Sequence, residues 1–273
     1  MLAGAGVNAV SRNNNTPLHL AIGKDHVRLA KDLLLSGANP KARGFARDCP
    51  IHVAARVGRH DVGHALAHKG ADLDALNVNC MITPISLAVE GDHVSTVKVL
   101  LAAGADAKRQ MGCSRTALHV AAKCNKAGAI PALIEAGADI EARMSLGRSP
   151  LWYAACKGSC AAMLVLLQLG ADAKSHDEIG RTCLYAASQK GHADAADLLL
   201  RWGADETAVD NEGATARRGD PRYGSRVHGA TPRAPEPTYQ EGAGEGRGRV
   251  GWPTRPGGGG GGGGGGPRHA RRR

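Results

Sequence analysis

The sequence predicts an all-α solenoid of stacked helix-turn-helix units with β-hairpin-like finger loops, followed by a disordered C-terminal tail. Three observations carry that prediction. Tetrapeptides that open a helix begin at Thr16, Cys49, Thr83, Thr116, Ser149 and Thr182, at steps of 33, 34, 33, 33 and 33 residues. A Gly-Ala pair recurs independently at 4, 37, 70, 104, 137, 170 and 203, and its one 34-residue step places the extra residue between Gly70 and Thr83. Two markers in phase over six units give a period of the length that solenoids use. The composition agrees: apolar residues make up 42% of the chain and aromatics only 3%, which suits close helices lined by Ala and Leu and excludes a wide barrel packed with large rings.

Each unit opens on a cap. Thr16, Thr83, Thr116, Ser149 and Thr182 carry hydroxyls able to accept a hydrogen bond from a free backbone N–H of the first helical turn. Pro17, Pro84 and Pro150 follow in the position where a missing N–H costs nothing. Cys49 is a poor cap, so the second unit is expected to begin less firmly. The first helix then carries Leu18, Ile51, Ile85, Leu118, Leu151 or Leu184, with Ala three residues on in all six units (21, 54, 88, 121, 154, 187). That spacing puts both on one face, and a bare methyl lets neighbouring helices approach closely.

Seven residues past the aliphatic stand Asp25, Gly58, Asp92, Asn125, Gly158 and Gly191, the residue types that tolerate the left-handed backbone of a tight interhelix turn. The second helix places Leu (33, 66, 100, 133, 166, 199) four residues before a closing Gly, where a helix C-terminus favours φ > 0. About ten polar, turn-forming residues then lead to the next cap, as in Asp177-Glu-Ile-Gly-Arg-Thr182 and Asp210-Asn-Glu-Gly-Ala-Thr215. Such segments read as fingers.

Thr16-Pro-Leu-His-Leu-Ala21 and Thr116-Ala-Leu-His-Val-Ala121 resemble the 33-residue ankyrin repeat, whose signature is T-P-L-H-x-A. The resemblance covers residues 4–216 and implies an ankyrin-repeat solenoid of paired antiparallel helices with fingers along one edge. Six complete units follow: 11–43, 44–77, 78–110, 111–143, 144–176 and 177–209. It also implies that His19, His52 and His119 are structural, hydrogen-bonded near the cap. Partial units flank the array. Gly4-Ala-Gly-Val-Asn8 reads as the closing turn of a unit, and Thr215-Ala-Arg-Arg-Gly-Asp-Pro221 starts a helix and breaks it. With terminal caps that solenoids require missing from the pattern, Leu18, Ile22, Leu29, Leu184 and Leu199 are expected to be uncovered. A piece of a longer array and naturally degenerate end units both fit.

Residues 217–273 are another material: 18 of 57 are Gly, ten of them consecutive from Gly257 to Gly266, and seven are Pro. A segment so poor in apolar side chains is expected to be disordered. It also holds twelve arginines against four acids, while the remaining 216 residues hold 23 basic and 21 acidic groups, so the formal charge of +10 belongs mostly to the tail. Its Arg/Gly stretches allow weak, non-specific contact with RNA or acidic surfaces, with only Tyr223, Tyr239 and Trp252 to stack. The repeats themselves are expected to leave nucleic acid alone.

No run of 18 apolar residues is present, no secretory leader is readable at Met1, and seven cysteines without a CxxC pair read as free thiols. The expected location is cytoplasmic or nuclear, not secreted. No Ser–His–acid grouping, phosphate-binding glycine loop or HExxH motif appears, so no catalytic, cofactor or metal residues are assigned and no enzyme activity is expected. Histidines 19, 52 and 119 sit a unit or more apart without acids or thiols to complete a metal shell. Cys156 and Cys160 straddle the turn at Gly158 and read as small hydrophobes.

Binding is the remaining reading. At the end of the first helices stand Lys24, Arg56, Lys123, Lys157 and Lys190, and only the third unit, with Glu90, lacks a cation. Arg115, Arg148 and Arg181 add charge before three consecutive caps, and Cys113, Leu146 and Ile179 offer apolar contact on the fingers. Trp152 and Tyr185 replace the usual His in adjacent units, either as a hot spot or as filling between repeats. The expected function is a protein–protein interaction scaffold or adaptor whose positive concave face selects an acidic segment of a partner protein. A second reading makes the Arg/Gly tail a tether for RNA or acidic surfaces. A third makes the repeats the targeting part of a larger multidomain protein.

Overall fold

Twelve helices form six antiparallel pairs in a computed structural model that describes residues 6–78 and 81–216. The first helices are α1 (Pro17–Gly23), α3 (Pro50–Arg56), α5 (Pro84–Glu90), α7 (Ala117–Lys123), α9 (Pro150–Lys157) and α11 (Cys183–Gln189). The second helices are α2 (Val27–Leu35), α4 (His60–His68), α6 (Val94–Ala102), α8 (Ile130–Glu135), α10 (Cys160–Gln168) and α12 (Ala193–Arg201). First helices pack on first helices and second on second, so the repeats build two parallel layers. Pro131 lies in the first turn of α8, where it has no N–H to give; a 3-10 turn at Ala127–Ala129 precedes a shorter helix than in the other units.

The core sits where the period places it. Ala54, Ala88, Ala121, Ala154 and Ala187 are fully buried and Ala21 nearly so, as are all six aliphatic residues three positions earlier. Leu66, Leu100, Leu133, Leu166 and Leu199 are likewise enclosed, each burial contributing about 2 kcal/mol. Leu18, Ile22, Leu184 and Leu199 are buried too, which corrects the expectation of bare ends; of those five residues only Leu29 is exposed. Their own helix pair and the one adjoining pair cover them: α1 packs on α2 and α3, and α11 on α12 and α9.

The turn residues behave as their types require. Asp25, Gly58, Asp92, Asn125, Gly158 and Gly191 all have positive φ, between 55° and 74°. Gly104, with φ of 98°, shows the closing turn after the second helix. The weak start expected at Cys49 is not seen. α3 begins at Pro50 as α1 begins at Pro17, because the same reciprocal box forms: the Cys49 side chain faces the His52 N–H while His52 Nδ1 accepts the Cys49 backbone N–H at 3.1 Å.

Each junction between units has its own contact above the interhelix turn. Arg59 pairs with Asp25, Lys126 with Asp92 at 3.7 Å, and Asn125 Oδ1 accepts the Ala162 N–H at 3.0 Å. Where the turn residue is Gly58 or Gly158, a histidine from the next unit lies over it. His93 Nε2 bonds the Arg56 carbonyl at 3.1 Å and His192 Nε2 the Cys156 carbonyl at 3.2 Å. The expected tail, 217–273, lies outside the described residues.

Candidate functional site

The fingers are held by carboxylates and joined by backbone. Asp177 Oδ1 accepts the N–H groups of Ile179 and Arg181 at 3.2 and 2.9 Å, and Asp210 Oδ1 those of Glu212 and Ala214 at 3.0 and 2.9 Å. Such turns close the loop on its own first residue. Among the described residues the fingers carry isolated bridges rather than strands: Met144 to Arg148, His176 to Thr182 and Val209 to Thr215. Tips are tied together where Val78, Glu178 and Asn211 donate their N–H to the carbonyls of Ala46, Leu146 and Ile179 at 3.2, 3.0 and 3.0 Å. The expected apolar contacts Leu146 and Ile179 therefore anchor the row with their backbone while their side chains face outward.

Three histidines bind cap to finger. His19, His52 and His119 accept the cap N–H at Nδ1 (3.2, 3.1 and 3.2 Å) and reach with Nε2 to the carbonyls of Asp48, Ala75 and Arg148 (3.0, 3.0 and 3.1 Å). Only the neutral Nε2–H tautomer satisfies both ends, since a protonated Nδ1 would face a donor. Burial lowers the pKa of all three, that of His119 to about 4. The structural role implied by the resemblance is the one the geometry shows.

Where Trp152 and Tyr185 replace that histidine, the finger arginine takes over. The Arg148 guanidinium lies 4.2 Å from the Trp152 ring centroid with Nε 3.6 Å from Asp177 Oδ2. Arg181 repeats the arrangement at 5.5 Å over Tyr185 and 3.9 Å from Asp210. Both carboxylates are buried, so these arginines neutralise charge inside the array. Trp152 is buried beneath its arginine and Tyr185 half-buried, so they fill space between repeats rather than stand free. Arg115 occupies the same slot one unit earlier, but Met144 stands where Asp177 and Asp210 stand, and Arg115 has no carboxylate there. Arg56 binds Asp48 at 2.6 Å, so part of its charge is spent as well.

The exposed remainder is narrower than the sequence-derived row. Lys24, Lys123, Lys157 and Lys190 are exposed at the ends of four first helices, and Cys113, Leu146 and Ile179 at three fingers. Phe45, the one phenylalanine of the chain, belongs beside them: it is 64% exposed on the finger of the second unit, with its N–H held by Asn15 Oδ1 at 2.9 Å. An aromatic in a segment otherwise made of polar turn residues was the signal for it. Leu20, Val78 and Met81 are exposed as well.

Among the described residues no group of three or more His, Cys, Asp or Glu side chains converges to hold a metal, and no helix is long and apolar enough to cross a membrane.

Known proteins share this arrangement. The chain is 30% identical over 113 residues to the B-cell lymphoma 3 protein homolog of Mus musculus, covering 40% of this chain and 25% of that protein. It is 32% identical over 119 residues to NF-kappa-B inhibitor alpha of Gallus gallus, covering 40% of this chain and 36% of that one. The matched stretch thus spans about a third or less of these relatives' length. The crystal structure of the human ASB11 ankyrin repeat domain superposes with a TM-score of 0.68 at 25% identity, over 76% of this chain and 92% of that one. The family model for ankyrin repeats (3 copies) matches residues 1–77, 51–144, 85–177 and 151–216. On a match that runs through the whole array, the chain belongs to the ankyrin repeat family.

Proposed function

We propose that the chain is a non-catalytic scaffold that holds an acidic segment of a partner protein against the ends of its first helices and the adjoining finger tips. Ankyrin repeats are protein–protein interaction modules, and one of the relatives is named as the inhibitor of another protein, NF-kappa-B. The observation that carries the finer reading is the division of the cations. Arg56, Arg148 and Arg181 are engaged by carboxylates of the array, whereas Lys24, Lys123, Lys157 and Lys190 are exposed and form no ion pair among the described residues. Lys123, Lys157 and Lys190, on three consecutive units, supply a point charge per repeat, which speeds encounter and sets the register of an extended acidic chain. Exposed Phe45, Leu146 and Ile179 give apolar contact beside that row.

The test is a random peptide-display library panned on the full chain. Binders enriched in Asp and Glu are expected, and the triple variant Lys123→Glu, Lys157→Glu, Lys190→Glu should lose them with an unchanged melting temperature. Binders without acidic enrichment, or binders retained by the triple variant, overturn the acidic-segment reading.

A further inference from the structure

The segment His60-Asp-Val-Gly-His64-Ala-Leu-Ala-His68 of α4 places histidine every four residues, and such residues share one helix face. His64 and His68 are both exposed on that face. Their Nε2 atoms lie 3.3 Å apart and their ring centroids 4.4 Å apart at 70°. Two imidazole nitrogens bound to one tetrahedral zinc ion at ordinary Zn–N lengths are separated by about 3.3 Å. The side chains are therefore already spaced as two ligands of one ion.

The surroundings favour an open site. His64 and His68 stand on the rim of a groove of about 280 Å³ between α4 and α6, whose other lining residues are Ala67, Val99, Ala102 and Ala103. Methyl groups opposite the imidazoles leave room for water at the remaining coordination positions, and no carboxylate or thiol lines the groove to complete the shell. Neither histidine is engaged by a buried carbonyl, unlike His19, His52 and His119. Their hydrogen bond is to each other.

We propose that His64 and His68 form a two-imidazole site for a divalent late transition metal, zinc or copper, on the second-helix layer of the second repeat. Imidazole is a preferred ligand of these ions, and the absence of carboxylates in the groove disfavours magnesium and calcium. The remaining coordination positions are held by exchangeable water.

The test is calorimetric titration of the full, untagged chain with Zn²⁺ and separately with Cu²⁺. The wild-type chain is expected to take up either ion at one tightest site. His64→Gln/His68→Gln should weaken that site at least tenfold, and His64→Gln alone should weaken it measurably. His60→Gln, one turn away and outside the His64–His68 hydrogen bond and ring contact, should leave it unchanged. Circular dichroism without metal should be the same for all variants, because every substituted residue is exposed. No uptake by the wild-type chain overturns the assignment. So does uptake that survives in the double variant, which would place the ion on other histidines, or an equal loss in His60→Gln.

Discussion

Acid should unlock the array through His119. Its imidazole is enclosed, bridges the Thr116 N–H and the Arg148 carbonyl, and must stay neutral to do so. Burial is the largest cause of its lowered pKa, which falls from 6.5 to about 4. The folded chain therefore binds fewer protons than the unfolded chain between those values. Stability from this residue is fully present above pH 6.5 and is lost as pH falls toward 4. A difference of that size corresponds to about 3 kcal/mol in all, of which about 2 kcal/mol is lost between about pH 7.5 and about pH 5. His19 and His52 move in the same direction and steepen the loss. The assay is urea unfolding of wild-type and His119→Gln at both pH values, a window that lies above most carboxylate titration. The variant should be less stable at the higher pH, yet lose about 2 kcal/mol less than wild-type on acidification. Equal losses in the two chains would refute the neutral-bridge account of His119.

The paired arginines should differ from the unpaired one. Arg148→Ala strips the guanidinium from enclosed Asp177 and from the Trp152 face, at a cost of about 3 kcal/mol, whereas Arg115→Ala, with Met144 opposite, should cost under about 1 kcal/mol. Equal melting temperatures for the two variants would show that Arg148 is solvated rather than structural. Gly158→Asp should cost about 2 kcal/mol, because a Cβ there would meet the His192 ring at 2.8 Å; the same change in a His192→Lys background should cost at least 1 kcal/mol less. A cycle in which the two substitutions simply add would remove the proposed link between those positions.

The helix pairs and the enclosed Ala and Leu positions were legible because they follow a period, and a period is visible in one sequence. Stacking identical units obliges equivalent residues to do equivalent work, so Ala54, Ala88 and Ala121 share a fate that each alone would not reveal. The candidate surface was only half legible for the same reason. Arg115, Arg148 and Arg181 occupy one slot and look alike in sequence. Their charge is decided 29 residues further on, by Met144 in one case and by Asp177 and Asp210 in the others. Phe45 was missed because the period gives weight to repeated residues and none to a single one.

The junctions carry this furthest. The six interhelix turns demand only a residue at ease with positive φ, and Asp, Asn and Gly all qualify. At the first five of these turns the residue present matches a partner in the unit after it. Asp25 and Asp92 stand beneath Arg59 and Lys126, and a carboxylate there gains a cation. Gly58 and Gly158 stand beneath His93 and His192, whose rings lie within 2.5 and 2.8 Å of where a Cβ would be, so that no side chain fits. Asn125 faces the first turn of α10, where its amide oxygen holds the Ala162 N–H. Choice at the turn is thus a pairwise matter between residues 34 to 37 apart. An array built this way restricts which repeats can follow which, since a unit bearing His93 placed after Asp25, or one bearing Lys126 placed after Gly58, would lose the matching contact.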